Sequence, residues 1–145
     1  MNHFGHKPLI DFGGLPVFAE LCVYELFRLS GWEARWLETY GAPAAGPYLF
    51  TNWLDVPLKQ QQHQPLRVAW VAELLEVIAA YNKGRYGGCW DVIGWHGKTI
   101  VFAELKRRKK DRLQTTQPLW LEAGLRAGLQ PENFLFVEWD FDSSI

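Results

Sequence analysis

The sequence predicts one α/β domain, spanning residues 1–145, in which helices cover a mixed β-sheet. Segments with helical and strand-like patterns alternate along the chain, which favours this class of fold. Hydrophobic residues make up 48% of the 145 residues, enough for one sizeable core. Aromatic residues make up 15%, which argues against a disordered chain.

The first half of the chain contains a predicted helix and a predicted strand. Apolar residues near helical spacing indicate a helix over residues 16–30, with Pro16 in its first turn and Gly31 after its end. The following segment, WEARWLETY, alternates as a strand does. The residues on one side of it are Trp32, Ala34 and Trp36. A loop follows at residues 41–47, GAPAAGP.

The strongest helical pattern covers residues 66–84 and ends at Gly84. Its predicted apolar seam consists of Leu66, Trp70, Leu74 and Val77. Two strand-like runs then meet at a turn predicted at His96–Gly97. A third helix, closing at Gly128, and a last apolar strand at 133–139 complete the order.

The predicted hairpin places two acidic residues on one face of the sheet. With the turn at His96–Gly97, Asp91 lies opposite Phe102. Because side chains alternate along a strand, Glu104 shares the face of Phe102 and is a diagonal neighbour of Asp91, with Cβ atoms roughly 7–8 Å apart. A bulge at Gly94 would shift this register by one residue.

The residues on this face are suited to phosphodiester hydrolysis. That reaction requires charge neutralisation at the phosphate and an activated water, and Mg²⁺ provides both while binding a few carboxylate oxygens. We expect Asp91 and Glu104 to supply those oxygens. Lys106 follows Glu104 on the same face and would orient the water or stabilise developing charge.

A concentrated basic segment follows the acidic pair. The net charge of the chain is −1, yet six of its fifteen Lys and Arg residues lie within seven positions. They are Lys106, Arg107, Arg108, Lys109, Lys110 and Arg112. Such a local positive patch would contact a nucleic-acid backbone in a salt-dependent and sequence-independent way.

These segments resemble the PD-(D/E)XK nuclease superfamily, and most closely its VRR-NUC branch. GGCWDV contains the first acid, Asp91, and FAELK contains the pair Glu104 and Lys106. Five further positions in KKDRLQTTQPLWLEAGLRAG match the family pattern: Asp111, Leu113, Gln117, Trp120 and Gly128. The resemblance covers residues 87–139 well and 16–40 loosely, and it leaves roughly 43–84 as an insertion.

The resemblance implies a restriction-endonuclease-like core of helix, three strands, helix and strand, with an inserted helix. It implies cleavage of DNA with Mg²⁺ or Mn²⁺, and small relatives often act as homodimers on branched DNA such as junctions or flaps. It also implies that Glu20 helps to hold the metal, with Glu25 as the rival on the same helix. Gln117 would contact the site or the phosphate, or else cap its helix, and Asp111 would extend the metal site or serve as an N-cap.

Several alternatives stay open on the sequence alone. The inserted helix is a dimer face, a lid over DNA or part of the core. The protein is either a metal-dependent DNA endonuclease or a non-catalytic nucleic-acid-binding or assembly subunit with the same fold, and RNA is an alternative substrate. Cys22 and Cys89 form no CxxC pair, and no long apolar segment indicates a signal or a membrane span. We therefore expect a cytoplasmic protein with no membrane partner.

Overall fold

The computed structural model describes residues 7–13, 15–40, 46–108 and 116–140. These residues form a two-stranded ribbon, a five-stranded sheet and three helices. The strands are β1 (Leu9–Phe12), β2 (Leu15–Phe18), β3 (Glu33–Glu38), β4 (Tyr48–Phe50), β5 (Val92–His96), β6 (Thr99–Arg107) and β7 (Phe134–Trp139). The helices are α1 (Ala19–Leu29), α2 (Ala69–Tyr81) and α3 (Thr116–Arg126). Within the described residues, no helix has the length and apolar character needed to cross a bilayer.

The main sheet has the strand order β4-β3-β5-β6-β7. Its pairs are antiparallel except for β6 and β7, which run parallel. A parallel neighbour requires a crossover connection, and α3 lies in that connection. The prediction of a mixed α/β fold is therefore confirmed.

The helix predicted from residue 16 begins later than expected. Residues up to Phe18 form β2, which pairs with β1 in register Leu9 to Phe18, and α1 starts at Ala19. Pro16 is thus in a strand, because pairing with β1 outweighs the local helical pattern. The end of the helix agrees with the prediction, since Gly31 follows α1 with a φ of 84°.

The second helix is present, and its predicted seam is partly correct, since Leu66, Trp70 and Leu74 are half-buried and pack against the core. The residues of α2 that are buried are Val71, Leu75, Ile78 and Ala79. Val77 is 43% exposed, and Leu66 precedes the helix. The helix is apolar around much of its circumference, so periodicity alone did not identify its most buried residues.

Helix α2 contributes to the main hydrophobic core. Val71, Leu75 and Ile78 belong to one buried cluster with Phe102 of β6 and Trp120 of α3. The inserted segment is therefore part of the core. Helix α1 packs elsewhere, in clusters that contain Trp36 of β3 and Ala103 of β6. Since Ala103 and Phe102 point to opposite faces, the helices cover both sides of the sheet.

The β5–β6 hairpin has a different turn from the predicted one. His96 pairs with Thr99, so Gly97 and Lys98 are the two turn residues. Gly97 has a φ of 59°, which glycine adopts without steric cost. The register is continuous through Gly94, which pairs with Val101 without a bulge. A Cβ at Gly94 would lie 2.5 Å from a ring carbon of Phe27, so this glycine permits the close approach of α1.

Candidate functional site

Asp91 lies immediately before β5 and is held by two strands. Its carbonyl oxygen accepts a hydrogen bond of 2.8 Å from the Leu37 N–H in β3. Its Oδ2 accepts a hydrogen bond of 2.8 Å from the Leu105 N–H in β6. The carboxyl group is therefore fixed against β6, with one side-chain oxygen held by a backbone donor.

Glu104 lies beside Asp91 in the middle of the sheet. It is 1% exposed, and its side chain hydrogen-bonds with the Asp91 side chain. The observed register is two residues from the predicted one, with Ile93 opposite Phe102. A shift of two residues keeps the same face, so the two carboxyl groups still meet.

The surroundings of the Glu104 carboxyl favour its protonated form. Burial raises the pKa of Glu104, and the hydrogen bond and charge of Asp91 raise it further, while Lys106 opposes them. Two adjacent carboxyl groups in a buried place share a proton, because both cannot be ionised there at low cost. A cation placed between them would reverse this preference.

Glu20 lies at the start of α1 and is also buried. It is 6% exposed, and its Oε1 accepts a 2.6 Å hydrogen bond from the Lys7 ammonium. Its Oε2 is buried and has no hydrogen-bond partner among the described residues. Burial raises the pKa of Glu20, Lys7 opposes this effect, and the charge of Asp91 adds to it. Glu20 is therefore close enough to Asp91 to sense its charge.

Glu38 completes the acidic group and was not among the residues predicted from the sequence. Burial raises the pKa of Glu38 to about 7, Lys7 lowers it, and the charges of Glu20 and Asp91 raise it. Its position carries a readable signal. Glu38 shares a face of β3 with the buried Ala34 and Trp36 and is itself half-buried, which is an unusual place for a carboxylate.

Lys106 lies near the acidic pair, as its spacing from Glu104 predicts. Its Nζ is 4.0 Å from Glu104 Oε1, and its side chain is 20% exposed. This position leaves the ammonium group at the boundary between the buried carboxyls and solvent. It is within reach of a phosphate oxygen that approaches the same carboxyls.

The basic segment is described in part. The Arg107 guanidinium lies over the Trp139 ring, 5.7 Å from its centre. Arg108 is 62% exposed at its side chain, and its Nε is 3.8 Å from a Glu138 carboxylate oxygen. The other three predicted DNA contacts lie outside the described residues: Lys109, Lys110 and Arg112.

The remaining predicted residues separate into two groups. Glu25 lines an apolar pocket of about 170 Å³ with Phe18 and Trp53, and it does not join the acidic group. Gln117 lies in the first turn of α3, but its side chain is not described. Asp111 and Leu113 lie outside the described residues, and α3 begins at Thr116.

The oxygen donors of this site suit a small divalent cation, but they are not arranged around one. Carboxylate oxygens are the ligands preferred by Mg²⁺ and Mn²⁺, and the buried Oε2 of Glu20 lacks a partner among the described residues. No group of three or more His, Cys, Asp or Glu side chains in the described ranges has the geometry of a metal site. Glu20 contacts Lys7, and Glu104 contacts Asp91, so the carboxyls are engaged with other groups.

Comparisons of the chain with models of protein families, with curated proteins and with solved structures found no match.

Proposed function

We propose that this protein is a metal-dependent endonuclease of the PD-(D/E)XK type, which hydrolyses phosphodiester bonds in DNA. The observation that carries the proposal is the contact between the Asp91 and Glu104 carboxyl groups, with Lys106 and Glu20 beside them. These four side chains come from α1, β6 and the residue before β5. Their convergence is what the chemistry of the proposed site requires.

The order of elements supports a restriction-endonuclease-like core. Helix α1, strands β3, β5 and β6, helix α3 and strand β7 follow one another as this core requires, with β4 and α2 inserted after β3. The hairpin β5–β6 carries the acidic pair, and β7 pairs in parallel with β6 on its other side. Strand β6, which carries Glu104 and Lys106, is therefore paired with a neighbouring strand along each of its two edges.

Asp91 and Glu104 would hold Mg²⁺ or Mn²⁺, with Glu20 as a further ligand. When bound, the ion would neutralise phosphate charge and lower the pKa of a bound water. Binding of the ion would favour the ionised form of Glu104 and release its proton to solvent, so that the Glu104 carboxylate presents a charged oxygen. The Leu105 N–H would keep Asp91 oriented during this change.

Lys106 would act on the phosphate or on the attacking water. Its ammonium group lies near the Glu104 oxygen at a partly exposed position, so it can donate hydrogen bonds outward. Arg108, also exposed, would contact the DNA backbone next to the reacting phosphate. This contact would extend along the DNA strand through Lys109, Lys110 and Arg112. Branched DNA is the proposed substrate, with a homodimer as the acting form.

A cleavage assay on a panel of labelled DNAs tests the proposal. The wild-type protein should nick or resolve at least one branched or linear DNA with Mg²⁺ and none with EDTA. Glu104→Gln should lower the rate by about 10³-fold or more, equivalent to about 4 kcal/mol of transition-state stabilisation. Glu25→Gln is the matched control, since Glu25 lies on α1 but outside the acidic group.

Two results would contradict the proposal of a metal-dependent endonuclease. One is cleavage that persists in EDTA, and the other is a Glu104→Gln protein as active as the Glu25→Gln protein. A matched set of RNA substrates in the same assay would decide between DNA and RNA as the preferred target. Size-exclusion chromatography with light scattering would measure whether the active form is a dimer.

A second candidate function is a nucleic-acid-binding subunit without cleavage. The observation that favours it is the absence of a ready metal-site geometry within the described ranges. Such a protein would bind DNA through its basic segment, with an affinity that falls steeply as salt rises. It would show no cleavage with Mg²⁺, Mn²⁺ or any other divalent ion, while the Glu104→Gln variant would bind DNA as the wild type does.

A further inference from the structure

The Lys7 ammonium lies inside the acidic group. It is 2.6 Å from Glu20 Oε1, and its other acidic neighbours are Glu38 and Asp91. Its side chain is 28% exposed, so most of it is withdrawn from solvent. Burial lowers the pKa of Lys7, but the carboxyl groups around it raise the pKa by more, so the ammonium stays charged.

The ribbon β1–β2 positions this lysine. Its antiparallel register pairs Leu9 with Phe18. Each further step away from the turn moves one residue back along the first strand and one residue forward along the second. Two steps further, Lys7 is level with Glu20 at the start of α1. The ribbon therefore places the Lys7 ammonium beside Glu20, at the buried start of α1.

One ammonium does not satisfy the acidic group. Lys7 contacts only one oxygen of Glu20, and Glu20 Oε2 stays buried without a partner among the described residues. A divalent ion could coordinate both a Glu20 oxygen and nearby carboxylates, whereas an ammonium group donates single hydrogen bonds. Two cations would repel each other strongly at this separation in a partly buried site.

We propose that Lys7 is an internal counter-cation that occupies the cation position beside Glu20 and is displaced when a divalent ion binds there. This inference rests on the proposed function for the role of Glu20 as a metal ligand. Repulsion between the two cations sets the Lys7–Glu20 ion pair against the ligation of metal by Glu20, so Lys7 lowers the apparent affinity for metal.

Calorimetric titration of the full chain with Mn²⁺ tests this competition. Lys7→Met removes the ammonium and keeps a side chain of similar length, so it should bind Mn²⁺ at least about threefold more tightly than the wild type. Lys98→Met is the control. Lys98 lies in the β5–β6 turn, and six residues of extended strand separate it from Glu104 by roughly 20 Å. This variant should bind Mn²⁺ as the wild type does.

A second measurement uses the wild-type protein and does not depend on the folding of a variant. Lysine acylation by an N-hydroxysuccinimide ester, followed by mass spectrometry, reports the accessibility of each ammonium group. Lys7 should react slowly without metal and several-fold faster at a Mn²⁺ concentration that saturates the calorimetric isotherm. Lys98 is the internal reference and should react at one rate in both conditions.

Equal Mn²⁺ affinity in wild type and Lys7→Met, or Lys7 acylation that Mn²⁺ does not change, would overturn the competition. Cleavage that depends on Mg²⁺ and Glu104 would then leave the endonuclease proposal standing. Absence of Mn²⁺ binding to either protein would overturn the counter-cation and would also count against the metal-dependent nuclease. Loss of cleavage dependence on Glu104, with tighter Mn²⁺ binding by Lys7→Met, would instead reject the nuclease alone.

Discussion

The two halves of strand β6 are built from opposite chemistries. In the half next to the turn, Ile100, Phe102 and Ala103 are between 0% and 2% exposed. In the other half, Glu104 is as deeply buried at 1%, and Lys106 is nearby. Burial therefore stabilises the fold throughout the first half, whereas in the second half it stabilises at Leu105 and works against the fold at Glu104.

The difference between the halves is energetic. A buried Phe side chain contributes roughly 1.5–3 kcal/mol through the area it removes from water. A buried carboxyl group contributes nothing comparable, and it loses its hydration. The chain offsets part of that loss by pairing Glu104 with Asp91, and burial raises the pKa of Glu104, which favours its neutral form. A destabilising end on a strongly packed strand is typical of functional sites.

The largest predicted effect is in the apolar half. Phe102→Ala should lower the free energy of unfolding by about 3–5 kcal/mol, because it removes a ring packed on Trp120 and Phe134 and leaves a cavity. Urea denaturation followed by tryptophan fluorescence measures this change. Leu135→Ala in β7 is the control, since Leu135 is 50% exposed and should lose less than about 1 kcal/mol. Similar losses in the two variants would show that the buried Phe102 ring stabilises the fold no more than an exposed apolar side chain does, and the first half of the comparison would fail.

A smaller effect of opposite sign is expected in the acidic half. Glu104→Gln should raise the metal-free unfolding free energy at pH 8 by about 1–2 kcal/mol, because the amide keeps the shape and a hydrogen-bond donor toward Asp91 without a titrating proton. The same denaturation experiment, carried out in EDTA, measures it. A loss of stability in this variant would show that the Glu104 carboxyl supports the fold, and the comparison of the halves would fail.

Most elements of the main sheet were predictable from sequence because their patterns are strong. The alternating segment around Trp36 and the apolar run at the end of the chain are strands in the structure, and α3 ends before Gly128 as expected. The contact between Asp91 and Glu104 was also predicted correctly, although the hairpin turn was not. The error displaced the register by two residues. Because side chains alternate with a period of two, such a shift leaves every side chain on the face that was predicted for it.

The ribbon and the lysine were missed for one reason. Pro16 suggested a helix start, and nothing local in residues 7–18 indicates that the chain folds back on itself. Without β1–β2 pairing, Lys7 and Glu20 are thirteen positions apart and have no reason to meet. The failure is therefore one of tertiary pairing, which single-sequence patterns do not encode.

The smallest predicted effect concerns Glu38 and the pH dependence of stability. The pKa of Glu38 rises from its ordinary value of 4.5 to about 7, chiefly through burial. Between these two values the folded protein binds more protons than the unfolded chain, so the free energy of unfolding falls as pH rises. The contribution of this group is fully present below about pH 4.5 and is lost by about pH 7 to 8.

Glu38→Gln should remove that part of the slope, reducing the fall in stability between pH 5 and pH 8 by on the order of 1 kcal/mol. Urea denaturation at four pH values across this range, in EDTA, measures the slope. A remaining slope is expected, since burial also raises the pKa of Glu20 and of Glu104. Glu25→Gln should follow the wild-type curve. If Glu38→Gln follows it too, Glu38 is not part of the buried acidic group, and the contrast between the halves of β6 would not extend to β3.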